Sequence, residues 1–155
     1  MTRANFTIIT EQGKFKLQAN SSAYPSNVMY DLLKFAMSTA TENAGGINGF
    51  YDEPDPEALS NFINDLYLTL GHVGNPTYFY DVDFVNKRVK VWGYASRWIN
   101  APSDWKERGW NCWVGKNGKY GYTSFVKGRN LYDKSFDEVL VDVVEGKNVG
   151  ANLEI

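Results

Sequence analysis

"TYFYDVDFVNKRVKVWGYA", residues 77–95, is the stretch that decides how this chain folds. Aromatic and β-branched residues alternate with charged ones on both sides of a polar break. That is the pattern of two half-buried strands joined by a tight turn. With Asn86-Lys87 as the turn, Tyr80, Val82 and Phe84 share a face with Gly93, Val91 and Val89. On the other face Asp83 stands opposite Lys90 and Asp81 opposite Trp92, pairs that cross-strand packing favours. One apolar and one charged face is what an antiparallel sheet resting on a core requires.

The same reading extends outward. "NFTIITEQGKFKLQAN" (5–20) is a second hairpin if Gln12-Gly13 is its turn, with Phe6, Ile8 and Thr10 on the side of Phe15, Leu17 and Ala19. "WNCWVGKNGKYGYTSF" (110–125) is a third, with Asn117-Gly118 as the strongest turn signal in the chain. That register sets Trp113 opposite Tyr122, forming a cross-strand pair, and gives the hairpin two aromatic faces. Between the hairpins, "PSNVMYDLLKFAMSTATEN" has helical spacing at Val28, Leu32, Phe35 and Ala36, with Ser26 as the expected N-cap. Asp55-Pro56 opens a second helix carrying Leu59, Phe62, Ile63, Leu66 and Leu70 on one stripe. Ser135 and Glu138 form a capping box for a third, although its valines also suit a strand. The expected fold is α+β. An antiparallel sheet of three hairpins (about 5–20, 77–95 and 110–126) carries two or three helices (about 27–42, 56–71 and 136–145) on one face, in a single globular domain of residues 1–155.

Composition bounds the function. Apolar residues at 43% and charged residues at 22% of 155 place the chain among folded domains and outside the disordered class. A net charge of −2 argues against a general polycation for DNA. One cysteine, Cys112, excludes an internal disulfide framework. Residues 1–30 lack the apolar run of a signal peptide, and no apolar run is long enough to cross a bilayer. A cytoplasmic location without a membrane partner is therefore the expectation. Charge is segregated along the chain: residues 77–135 hold 11 Lys and Arg against 5 Asp and Glu, between two acidic flanks.

Catalytic signatures are sparse. His72, the only histidine, could serve Cys112 as a base, but a helix-end histidine and a small buried thiol are the preferred readings of the two. Asp81 and Asp83 share a strand face at a spacing that suits a metal or acid–base pair, yet the facing Lys90 already answers one of them. No zinc spacing, phosphate loop or nucleophile elbow is present. No catalytic residue, metal or cofactor is assigned.

Two surfaces remain. All five tryptophans lie between Trp92 and Trp113, inside the basic block. Trp98 and Trp105, with Arg97, Lys106, Arg108, Lys116 and Lys119, form a candidate aromatic-basic site, because Trp and Arg dominate binding hot spots and also stack bases and pair phosphates. Trp113 is expected to be structural, with Trp98 and Trp105 more exposed. Asp52, Glu53, Asp55 and Glu57 form a candidate acidic patch for a basic protein. The leading expectation is a non-enzymatic protein that engages another protein. Its small size, acidic ends and aromatic content suit an inhibitor or adaptor of the phage or mobile-element type acting on a host protein. The alternative is a binder of nucleic acid or a nucleotide-like anion through residues 77–135. An enzyme using Asp81/Asp83 or Cys112/His72 stands third, and a second copy of the chain is a further candidate partner.

Overall fold

A computed structural model describes residues 2–38, 54–144 and 149–153. The fold is α+β. Its elements are β1 (Ala4–Thr10), β2 (Gly13–Ala19), α1 (Pro25–Met37), α2 (Pro56–Asp65), β3 (Thr69–Leu70), β4 (Tyr78–Asp83), β5 (Arg88–Asn100), β6 (Trp113–Val114), β7 (Tyr120–Ser135) and α3 (Phe136–Val144), with a short 3-10 turn at Gly150–Asn152. The strands form one sheet in the order β3-β2-β1-β4-β5-β7-β6. No helix among the described residues is long and apolar enough to cross a membrane.

The first two hairpins form where alternation places them, but each register moves by two residues. Ile8 pairs with Phe15 and Phe6 with Leu17, so the loop is Glu11-Gln12. Tyr80 pairs with Val91 and Val82 with Val89, so the loop is Phe84–Lys87. A shift of two preserves the face of every side chain. Asp83 explains the second shift: its carboxylate accepts the Val85 and Asn86 backbone N–H groups (3.0 and 2.9 Å) and Asn86 Nδ2–H (2.9 Å). It closes a longer turn in which Lys87 takes φ +56°. Asp83 then stands opposite Arg88, and Asp81 opposite Lys90.

The sheet is mixed, which corrects the expectation of an antiparallel sheet made of three hairpins. β1 and β4 run parallel, with Phe6 beside Tyr80 and Ile8 beside Val82. The chain leaves β2 through both helices before entering β4, and a crossover of that length lets a strand return in the direction of the first. The main partner of β7 is β5, across twelve rows from Arg88↔Ser135 to Asn100↔Gly121, not the 110–114 segment.

Phe6, Ile8, Tyr80, Val82, Phe84, Val89 and Val91 are fully buried. Phe6 stacks on Tyr80 with ring centroids 4.9 Å apart and meets Phe62 of α2 edge-on at 5.8 Å. Phe84 meets Phe35 of α1 at 5.2 Å and Phe136 of α3 at 5.5 Å. Aromatic contacts thus tie all three helices to two residues on or beside the sheet.

Helix ends follow local chemistry with two corrections. Asp55 caps α2 by accepting the Ala58 N–H at 3.2 Å, with Pro56 at the first helical position. Ser135 and Glu138 form the reciprocal capping box of α3: Ser135 N–H donates to Glu138 Oε1 and Glu138 N–H to Ser135 Oγ. Hydrogen bonding to the Ser135 backbone N–H and then the Ser135 side chain holds the Glu138 carboxyl below its usual range. Ser26 is not the cap of α1. That helix starts at Pro25, whose fixed φ suits the first turn, after an extended Tyr24. Helix α2 stops at Asp65, short of residue 71: Tyr67 adopts φ +54°, and Thr69–Leu70 becomes an edge strand on β2. Residues 39–42, expected to end the first helix, and residue 145, expected to end the third, lie outside the described residues.

Candidate interaction arm

Beyond the row Tyr78↔Gly93, β4 no longer accompanies β5, but β5 and β7 continue together for seven more rows. With the 101–112 connection and β6 they make an arm, residues 94–129. It holds seven basic and two acidic residues, a charge of +5, and leaves nine basic and sixteen acidic residues, −7, in the rest of the chain. Every candidate residue of the aromatic-basic site lies on this arm.

Its tip is organised by a register that differs by one residue from the sequence expectation. Trp113 pairs with Gly121 and Val114 with Tyr120, not Trp113 with Tyr122. A two-residue type I′ turn would need positive φ at both Asn117 and Gly118. Only Gly118 has it (φ +77°), and Gly118 N–H donates back to Gly115 C=O at 3.0 Å. The loop therefore holds three residues, a tight turn closed by a left-handed glycine. A one-residue slip exchanges the faces of the strand. Trp113 now lies on the side of Trp98, edge-on at 5.8 Å, while Tyr122 meets Trp110 at 5.7 Å.

Both arm faces are aromatic. On one, Trp98 lies across Gly121 and Gly115, and its Nε1–H donates to Asn100 Oδ1 at 3.0 Å. Asn117 Nδ2–H donates to the same oxygen at 3.1 Å, which pins the turn to β5. On the other, Trp105 packs at 5.2 Å on Tyr120. A Cβ at Gly121 would overlap the Ile99 carbonyl and the Trp98 ring, and the carbonyl, being backbone, cannot swing aside. We predict that Gly121→Ala costs about 1–3 kcal/mol by overpacking and shifts tryptophan fluorescence. An unchanged spectrum and melting temperature would show that Trp98 does not rest on that glycine.

The exposed residues are not those expected. Trp110, Trp113, Val114 and Tyr120 are 40, 48, 54 and 49% exposed, whereas Trp98 and Trp105 are only partly exposed. The glycines at 115 and 121 carry the sequence signal for this: a glycine facing a Trp makes room for one ring and leaves the next outside. A groove of about 470 Å³ is lined by Trp110, Asn111, Trp113, Tyr122 and Thr123. A second of about 500 Å³ lies on the Trp98 side of Trp113.

Among the charged candidates, Arg97, Lys106, Arg108, Lys116 and Lys119 are exposed. Arg108 Nε–H donates to Asp104 at 3.0 Å while its guanidinium lies 5.1 Å from the Trp110 ring, and Lys106 Nζ sits 5.6 Å from Trp105. Lys127 is engaged at the root of the arm: its Nζ is 2.7 Å from Asp81 and 4.0 Å from the Trp92 ring.

The chemical alternatives are not assembled. Asp81 is held by Lys127, and Asp83 closes its turn. His72 follows β3 at one end of the strand order, with Nε2 3.2 Å from the Phe6 carbonyl, and Cys112 leads into β6 at the other end. Among the described residues no group of three or more His, Cys, Asp or Glu could hold a metal ion. Of the acidic candidates, Asp52 and Glu53 lie outside the described residues, and Asp55 and Glu57 serve the start of α2. Comparison with protein-family models, curated proteins and solved structures finds no match.

Proposed function

We propose that this chain is a non-enzymatic binding protein that engages another protein through the tip of its arm, as an inhibitor or adaptor would. The observation that carries this reading is the exposure of Trp110, Trp113, Val114 and Tyr120, each at least 40% exposed at the tip of the arm. Exposed apolar surface of this kind marks interaction sites, and aromatic residues with arginine are the types enriched there. The arm is preferred to the acidic patch because Asp55 and Glu57 already have work at a helix start.

The test is a pull-down from the native host with the wild-type chain and with Trp110→Ser/Trp113→Ser. Both rings are substantially exposed, so the variant is expected to keep its melting temperature within a few degrees while losing a partner that the wild type retains. Failure to recover any specific partner, or equal recovery by both proteins, would remove the proposal. The +5 charge of the arm supports a second reading, binding of a single-stranded nucleic acid by stacking and phosphate pairing. That reading predicts oligonucleotide affinity falling steeply between 50 and 200 mM salt, roughly as expected for phosphate contacts.

A further inference from the structure

We infer that the arm takes its partner as an added strand: an extended acidic peptide pairs with the open edge of β7 at Thr123 and Phe125, in line with β6, and seats an apolar side chain in the Trp110–Trp113 groove. The inference rests on the protein-binding reading above and names the kind of segment bound.

Three observations carry it. The first is an unfilled edge. β6 covers β7 only at Tyr120 and Gly121, and among the described residues no strand follows it along Tyr122–Val126 on the side away from β5. Lys119 C=O accepts the Gly115 N–H on the β6 side, and Tyr120 C=O accepts the Ala101 N–H on the β5 side. Strand backbone alternates, so Thr123 and Phe125 turn their N–H and C=O groups towards the open side. Long bare edges are usually blunted, and strand addition is a recurrent way of using one. Here the ladder is blunted only further on, where Gly128 and Arg129 bulge between the rows Tyr94↔Lys127 and Trp92↔Asn130. A strand of four or five residues fits between β6 and that bulge.

The second observation is the groove. It opens where β6 leaves the edge, and its lining includes Tyr122 and Thr123 of that edge. Its volume of about 470 Å³ lies inside the roughly 300–1,000 Å³ range of ligand pockets, ample for one aromatic or branched side chain. The third is charge. The arm carries +5, and Arg97, Lys116, Lys119 and Arg129 are exposed on it. That selects an acidic segment and disfavours a second copy of the chain, since pairing two β7 edges would bring two +5 arms together.

The probe is a fluorescein-labelled octapeptide that alternates glutamate with valine and carries one phenylalanine near its C-terminus, titrated into the full chain. Two N-methylated versions, blocked on alternate sets of amides, accompany it. Strand addition uses only every second amide, so one methylated version is expected to bind about tenfold more weakly and the other nearly as well as the parent. Amide exchange at Thr123 and Phe125 is expected to slow on binding. Phe125→Pro removes an outward N–H, together with the ring that stacks on Tyr94 at 4.6 Å, and should weaken binding to a similar extent; the methylated peptides give the same reading if that variant does not fold. Absence of peptide binding at millimolar concentration, equal binding of both methylated versions, or a single-stranded oligonucleotide protecting these amides where the peptide does not, would overturn the inference. Loss of a host partner in Trp110→Ser/Trp113→Ser together with such a failure would leave the protein-binding reading standing and remove strand addition alone.

Discussion

Phe84→Ala is expected to destabilise the protein by about 3–5 kcal/mol, the usual range for truncating a buried Phe. Phe84 is fully buried and its ring meets both α1, through Phe35, and α3, through Phe136. Its backbone N–H also donates to Ile9 C=O at 2.8 Å, so the residue joins the β4–β5 loop to β1. Truncation opens a cavity where two helices and the sheet converge, and the neighbouring rings cannot collapse into it without leaving their own contacts. At roughly 2–4 °C per kcal/mol for a chain of this size, the melting temperature should fall by roughly 6–20 °C. Phe84→Leu, which preserves most of the volume, should cost less than about 1.5 kcal/mol. Urea unfolding of the two variants separates these cases. A cost below about 1 kcal/mol for the alanine variant would mean that α1 and α3 do not share a core at this residue.

Lys134→Met is expected to cost about 2–3 kcal/mol. Asp142 of α3 is a nearly buried carboxylate, 4% exposed at its side chain, with Lys134 Nζ at 2.7 Å and the Tyr132 hydroxyl donating at 2.8 Å. Breaking a buried pair costs roughly 3–5 kcal/mol because a charge is left behind. The Lys134 side chain is 38% exposed, so solvent screening lowers the figure. Burial, reinforced by the hydrogen bond to Asp142, pushes the Tyr132 hydroxyl well above its usual range. Removing the whole network with Tyr132→Phe/Lys134→Met/Asp142→Leu should recover most of the loss, since apolar replacement of a buried pair is often neutral. A single Lys134→Met variant as stable as wild type would show that Asp142 does not depend on this lysine.

The exposed arm and the buried core respond to opposite tests, and the difference follows from register. Alternation along Tyr78–Asp83 and Arg88–Gly93 reports which side chains share a face, and a two-residue shift leaves that report intact. The Asp55-Pro56 start and the Ser135–Glu138 box are equally local, because each cap needs only its own next turn. The sequence by itself therefore determined the α+β class, the faces of the first two hairpins, the starts of two helices and the basic character of the 77–135 block. Only the tertiary structure decided that β4 lies parallel to β1, that β5 and β7 run on as an arm, and that Trp113 shares a face with Trp98. Backbone hydrogen bonds are alike at every strand edge, so sequence pattern does not say which edge a strand joins; helix crossovers and core packing do. At the tip, one left-handed residue at Gly118 instead of two moved the register by a single step, and a single step is the smallest change that turns a structural tryptophan outward.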